Sequence, residues 1–530
     1  MRKEDFPISA EGVKKLEAEL EKHPEINISD DKGAVYVNLS MVRLQLAWVM
    51  PKLIYAKGIA DEKGYRIYAI CWRENELFEE LLGSMGIKLL CLEKLIRSDI
   101  CGGIKAALKT VGFMLFDGTG TGLQRFRYCG VNAGKYLYED ILRTSSLSTM
   151  VNARNKICFK KMLHILWMCS SLERFLKKHH PVYMVADDLA YHEAILLSLF
   201  KKNGAEIRNV SVGMEEDILF NKRGEAIRRG ECLHRRIAAQ LKKGNTSEDA
   251  LKLLDGYFKG EGGRILDRGA FRDKQVKDRD QLCKELGFDI NKKNIVIMAH
   301  TFTDAVLNYG DLYFRDYYDW LDKTLSIAEQ TDNVNWILKP HPTRGAYNEA
   351  EDSIEDMFER HKKPHMFFLP DDVSTESIKY LADVIITIGG NAGAEFACLG
   401  IKPVIVGKPY YHGFGYTEEP ASLDAYEKVL RNIAELPALD DEQTAMARTV
   451  FSLKNNDAKS DMAFKDDLAT KLSGLYTKML DKMAVDYFQS NEGTMEYNDM
   501  VCAFLTDHFK EHDISECEYY SRGKLRGQVL

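Results

Sequence analysis

Apolar and polar positions along the chain fall into two stretches of the same rhythm, each a short apolar run followed by a longer segment with apolar residues every three or four positions. In the first, AVYVNLS (34–40), YRIYAICW (65–72) and IKLLCL (87–92) read as strands. The stretches between them, one through Lys57 and one ending near Gly86, read as helices. Further on, PVYMVADD (181–188) leads into a helical AYHEAILLSLFKKNG, and AEIRNVSVG (205–213) returns to a strand. Strands alternating with helices imply a parallel sheet. Residues 101–180 are expected to be partly helix and partly loop.

The pattern restarts after a charged, glycine-containing segment, residues 255–292, which suits a linker followed by a helix that closes at Gly287. NIVIMAH (294–300) predicts a strand, DYYDWLDKTLSIAEQ (316–330) a helix, and NWILKPHP (335–342) a strand stopped by its prolines. MFFLP (366–370), a short helix at STESIKYLA, the strand DVIITI (383–388), the helix GAEFACLG and the strand PVIVG (403–407) complete a second set. From about residue 424 the chain reads as helical, with segments near 460–487 and 493–512. The expected fold is α/β: two Rossmann-like domains, residues 1–270 and 285–423, and a helical C-terminal segment over 424–530. The chain shows no short-period repeat and no low-complexity tract.

At 530 residues the chain is too long for one ordinary core, which agrees with two domains. A net charge of −7 repels nucleic acid and demotes it as a partner. The eleven cysteines are scattered singly, without a CxxC pair or zinc-finger spacing, and read as reduced core thiols. The start, MRKEDFPISAEG, has no apolar signal core, and no 18 apolar residues run uninterrupted, so a cytoplasmic protein is expected.

The strongest chemical signal is DVIITIGGNAGAEFACLGIKPVIVG (383–407), where a strand runs into Gly389, Gly390, Asn391, Ala392 and Gly393 at a helix start. Backbone amides approach a ligand closely there, and the helix dipole favours an anion. Glu395, one turn later, is suited to ribose hydroxyls. The competing reading is that the glycines only permit tight strand-to-helix packing. ILKPHP (337–342) sets Lys339 and His341 at the carboxyl end of a strand, the edge at which open α/β sheets bind ligands.

AHTFTDA (299–305) ends a strand with His300 and Asp304, which fit either an acid–base pair or a cap of the following helix. MVADDLAYHE (184–193) sets Asp187 and Asp188 at another strand end, as candidate bases for an acceptor hydroxyl or, for Asp188, as a helix cap. DGTGTG (117–122) lacks the Lys-Ser/Thr ending of a phosphate loop and reads as a turn. The basic run RRGECLHRRIAAQLKKG (228–244) reads first as a solvated helix face, and second as an approach to anionic lipid head groups or a polyanionic acceptor. No DxD pair at a strand end and no histidine cluster has metal-ligand spacing, so no bound metal is expected.

In this order, AHTFTDA, DLYFRDYYDWLDKT, NWILKPHP and TIGGNAGAEFACLGIKPVIVGKPYYHGFGYT resemble the capsule and surface-polysaccharide biosynthesis proteins, a bacterial group with the two-domain glycosyltransferase B fold. YLYEDILR (136–143) is similar to a short segment of the same group. The resemblance implies metal-independent transfer of a sugar from a nucleotide donor to a glycan or lipid-linked glycan, with no other cofactor, in the cytoplasm or at the inner face of the membrane. Related Kdo and sialic acid transferases use CMP-activated acidic sugars and hold the nucleotide phosphate with a His-Pro pair and a Ser/Thr segment. That analogy assigns His341 with Pro342, and Ser374 with Thr375. The loop GGNAGAE departs from the Ser-rich version of glycerophosphate transferases, and no Asp/Glu-Asp-Gly base motif is present. Alternatives are a nucleotide-sugar epimerase, a CDP-glycerol-type glycerophosphotransferase and a non-catalytic assembly subunit.

Overall fold

The computed structural model describes residues 7–23, 33–40, 45–145, 147–187, 189–211, 214–217, 220–221, 229–245, 249–259, 274–310, 312–341, 351–460, 467–482, 487 and 490–528. Two sheets organise the chain. The first contains β1 (Ala34–Asn38), β2 (Arg66–Cys71), β3 (Lys88–Cys91), β4 (Pro181–Ala186), β5 (Glu206–Ser211) and β6 (Met214–Asp217), in the order β3-β2-β1-β4-β5-β6. All pairings are parallel except β5 with β6. The second contains β7 (Asn294–Met298), β8 (Asn335–Lys339), β9 (Met366–Phe368), β10 (Val384–Thr387) and β11 (Lys402–Ile405), all parallel, in the order β11-β10-β7-β8-β9. Numbered within each sheet, both follow the order 3-2-1-4-5 of the Rossmann fold, the first with β6 added antiparallel at its edge, so the α/β class with two Rossmann-like units is observed.

Alternate residues of each central strand enter different apolar clusters, as the period of two requires. Tyr36, Ile70 and Met184 of the first sheet share one cluster with Ile295, Trp336 and Ile386 of the second, so the facing sides of the two sheets enclose one continuous core. Val35, Val37 and Val185 point the other way, into a cluster closed by Leu468, Tyr497 and Tyr519 of the C-terminal helices. Val296, Ile337 and Ile385 point into a third, closed by Ala447, Val450 and Phe451. Each fully buried aliphatic side chain contributes roughly 1.5–3 kcal/mol, and with apolar clusters on both faces the strand sequences need no polar alternation.

The C-terminal helices therefore divide between the two sheets. Helix Asp441–Ser460 packs with the second, whereas Asp467–Lys482, Asn491–Glu511 and Glu518–Gln528 return to the first. Asp467–Lys482 and Asn491–Glu511 answer the two expected segments, and Asp441–Ser460 is a further helix within the stretch read as helical.

Residues 100–179 mix helix and loop as expected, and four helices, Ile100–Phe116, Gly120–Arg125, Ala133–Ser145 and Lys156–His179, take up most of the stretch. Gly102, Gly103 and Gly112 weaken the helical signal in the sequence, since glycine costs about 1 kcal/mol in a helix. Packing compensates: a Cβ on Gly103 would lie 2.7 Å from the Trp167 ring. The first half of DGTGTG turns between the first two of these helices, with Gly118 at φ +63 and Thr119 as the cap, and its second half opens the helix Gly120–Arg125. The helix expected before Gly287 spans Arg279–Leu286, opened by an Asp278/Gln281 capping box and closed by Gly287 at φ 78.

Candidate functional site

The carboxyl ends of β7 and β10 form the switch point of the second sheet, where successive connections leave in opposite directions and open a crevice. His300 lies two residues beyond β7 and the glycine loop follows β10. The Thr387 hydroxyl lies 3.0 Å from His300 Nε2 and accepts the Gly390 amide at 3.1 Å. One hydroxyl thus holds both the imidazole ring and an amide of the glycine loop. Rings of Tyr309, Tyr317 and Trp320 surround the imidazole, with centroids 5.6, 4.9 and 6.2 Å away. Burial first, and then the charge of neighbouring His341, push the His300 pKa down to about 3. The imidazole is neutral at physiological pH. His341 follows β8, so the ends of β7, β8 and β10 meet here.

Lys339 is the last residue of β8, 1% exposed, and its ammonium donates to the Val373 carbonyl at 2.8 Å. That bond ties β8 to the Ser/Thr segment. Ser374 is fully buried and its hydroxyl caps the short turn Thr375–Ser377 by accepting the Glu376 amide. Among the described residues, the buried Thr375 hydroxyl has no hydrogen-bond partner, nor does that of Thr301, next to His300. Pro342 lies outside the described residues.

Two loop glycines have packing duties. A Cβ on Gly389 would lie 2.7 Å from the Tyr309 ring, and one on Gly393 would lie 2.2 Å from Tyr411 Oη. Tyr411 donates to the Gly390 carbonyl at 2.7 Å. Gly390 instead faces the Thr387 hydroxyl and His300, where a Cβ would stand 3.1 and 3.5 Å from them. Asn391, exposed, and Ala392 open the six-residue helix Ala392–Ala397, which makes no side-chain cap bond. Glu395 is buried on that helix, where its charge helps raise the pKa of the Tyr410 and Tyr411 phenols, behind the larger effect of burial.

On the first sheet, Asp187 follows β4 beside β1, at that sheet's own switch point, and accepts from buried Lys52 at 2.7 Å. Asp188 lies outside the described residues. Asp304 accepts from Tyr191 Oη at 2.8 Å and does not cap the following helix: Asp316 caps Tyr317–Ala328. The residues just after Asp304 form turns, which is why the capping alternative fails.

YLYEDILR joins the two halves. Tyr138 donates to buried Asp316 at 2.5 Å, Glu139 accepts the Leu307 amide at 2.9 Å, and Asp140 pairs with His192 at 3.0 Å. Burial opposes ionisation of Asp140, but bonds and charges from His192 and Lys161 outweigh it and hold its carboxyl below the usual range. Thr387, Tyr191, Tyr309 and Tyr411 join the site without a distinguishing mark in the sequence. Thr387 stands inside the TIGGNAG segment, whereas the tyrosines carry no local signal of their partners.

The basic run forms the helix Arg229–Lys242, with Ile237 fully buried and His234 stacked on His412 at 4.0 Å. Among the described residues, no group of three or more His, Cys, Asp or Glu side chains is placed to hold a metal ion. No described helix is long and apolar enough to cross a membrane. A polar cleft lined by Asp289, Lys292, Glu329 and His365 lies at the opposite, amino-terminal edge of β7 and β8, away from His300.

Residues 256–445 match the family described as capsule polysaccharide biosynthesis protein, the group whose motifs the chain resembles. No curated protein sequence matches the chain. Among solved structures, the β-Kdo 2,7 transferase of Thermosulfurimonas dismutans KpsC is 14% identical, covering 54% of this chain and 89% of its own, with a TM-score of 0.28. Anabaena HepE, solved with UDP-glucose, is 11% identical over 84% of this chain and all of its own, with a TM-score of 0.27. UDP-GlcNAc 2-epimerase from Neisseria meningitidis is 11% identical over 81% and 99%, with a TM-score of 0.25.

Proposed function

We propose that the chain is a glycosyltransferase of capsule polysaccharide assembly that takes its nucleotide-activated sugar at the carboxyl edge of the second sheet, with a CMP-activated acidic sugar as the first candidate donor. The supporting observation is the convergence of His300, Thr387 and the Gly390 amide at the switch point, with His341 near enough to act on His300. As the sugar–phosphate bond breaks, negative charge grows on the leaving phosphate. Donors fixed in advance stabilise that charge without reorganising. On this reading His341, the amides beyond Gly390 and the buried, unpartnered hydroxyl of Thr375 supply them. Asp187, oriented by Lys52, takes the proton of an acceptor hydroxyl arriving from the first sheet's edge.

The test is thermal stabilisation by CMP, CDP, UDP and GDP. A nucleotide at about a hundred times its Kd stabilises the folded state by about 2.7 kcal/mol. One nucleotide should raise Tm, and His341→Ala should lower its affinity by roughly tenfold or more through loss of a charge-assisted hydrogen bond. No stabilisation by any nucleotide contradicts the donor site. Interconversion of nucleotide sugars without acceptor contradicts transfer.

A further inference from the structure

The helix Ile100–Phe116 carries an unpartnered apolar stripe. Ile100, Ile104, Leu108 and Leu115 are 72, 58, 70 and 68% exposed, Val111 is also exposed, and Phe116 at the end is 90% exposed. At 3.6 residues per turn the first five fall within an arc of about 80°, a continuous line on one side of a rod roughly 25 Å long. Large aliphatic side chains aligned in this way on a surface mark a docking face. The opposite side is committed to the fold: Gly102 and Gly103 lie against Ser170 and Trp167, while Arg154 donates to the Met114 carbonyl at 2.7 Å, so the helix runs antiparallel to Lys156–His179. Packed on one side, it cannot leave the protein to span a bilayer.

Charge identifies the partner. Although the chain has a net charge of −7, the acids between Ile100 and Leu172 are only Asp117, Glu139 and Asp140, and the last two are buried. Lys105 and Lys109 border the stripe on the same helix, both exposed, and Arg154 stands beside its Phe116 end with Lys156 close behind in sequence. An apolar line with Lys105 and Lys109 along one flank, and Arg154 and Lys156 near its Phe116 end, matches a leaflet with anionic head groups, since the aliphatic side chains enter the acyl boundary while the cations stay among the phosphates. A protein partner for this convex, narrow helix face would need a matching groove edged by carboxylates, whereas a leaflet meets it with a plane of anionic head groups.

We propose that the Ile100–Phe116 helix lies in the plane of an anionic membrane surface and holds the protein there peripherally. The helix Arg229–Lys242 of the basic run has no exposed large aliphatic side chain among its described residues, so it lacks the apolar line that enters a leaflet. The proposal needs nothing of the nucleotide site.

Co-sedimentation of the full chain with vesicles tests it, using phosphatidylcholine alone and an equal mixture of phosphatidylcholine and phosphatidylglycerol. Binding is expected to the mixed vesicles, weakening as salt rises. The Leu108→Gln/Leu115→Gln variant should lose roughly tenfold or more in partitioning while keeping the wild-type Tm, since both side chains are already in solvent. Lys105→Glu/Lys109→Glu should weaken binding to the mixed vesicles alone. A wild-type protein that stays in the supernatant overturns the proposal, as does undiminished binding of the Leu108/Leu115 variant. A dimer in sedimentation velocity that the same variant dissociates, without vesicle binding, also overturns it by making the stripe a contact between copies.

Discussion

His300 Nε2 and the Thr387 hydroxyl lie 3.0 Å apart, joining the ends of two neighbouring strands at the point where their connections diverge. Because Thr387 also accepts the Gly390 amide, one side chain holds both the histidine ring and the first turn of the glycine loop. Thr387→Val keeps the shape and removes both bonds. The expected cost is about 1–3 kcal/mol of stability together with roughly tenfold weaker nucleotide binding, because a half-buried amide and imidazole lose their partner. Thr387→Ser should retain both properties. Calorimetric titration of the three proteins checks this, and equal affinity of the Val variant removes Thr387 from the site.

The depressed pKa of His300 makes stability depend on pH in a defined direction. An unfolded histidine titrates near 6.5, whereas His300 in the fold does so at about 3. Between these values the unfolded chain binds a proton that the folded chain refuses, so the stability is full above about 6.5 and falls with falling pH by roughly 1.4 kcal/mol per unit. Burial lowers His164 and His234 too, so the wild-type slope is a composite. His300→Gln isolates one share. Urea melts at pH 7, 6 and 5 should show a shallower decline for the variant; parallel curves would mean that His300 titrates normally.

Strands such as Ala34–Asn38 and Asn294–Met298 were legible because burial on both faces writes itself as an unbroken apolar run. Helix Ile100–Phe116 was not, because the glycines that admit Trp167 also erase its helical signature. At the site, His300 and His341 could be read as strand-end residues, and their neighbourhood follows from strand order. The duties of Gly389 and Gly393 could not, since the rings they accommodate belong to Tyr309 and Tyr411, distant in sequence. Asp304 is the sharpest case. Its partner Tyr191 comes from the other half of the chain, and no local rule links the two.

Gly393→Ala sets helix propensity against packing. Alanine gains about 1 kcal/mol within a helix, but its methyl would stand 2.2 Å from Tyr411 Oη, and that tyrosine is fully buried. Overpacking of this kind costs about 1–3 kcal/mol, so a net loss is expected. Removing the phenolic oxygen relieves part of it, since ring carbon Cζ remains 2.9 Å away. The Gly393→Ala/Tyr411→Phe double variant should therefore be more stable than the sum of its single losses allows. Strict additivity in a double-mutant cycle would show that the two side chains do not meet.

Tyr191 and Ala305 face each other across the two halves, and both have left-handed backbones, with φ of 54 and 44. Such conformations cost about 1–3 kcal/mol each and persist where their surroundings enforce them. Here the Tyr191 phenol, kept protonated by burial and by the charge of Asp304, donates to Asp304 and accepts the Ala305 amide at 3.1 Å. It latches the loop that leaves His300 to the helix that follows β4. Tyr191→Phe should cost about 1–3 kcal/mol in urea unfolding by stranding Asp304 and the amide. It should also lower the transfer rate while leaving nucleotide affinity unchanged, because the His300–Thr387–Gly390 contacts do not include it. Calorimetric nucleotide binding measured beside turnover separates the two effects. A parallel loss of both would mean that Tyr191 shapes the nucleotide site rather than the alignment of one half on the other.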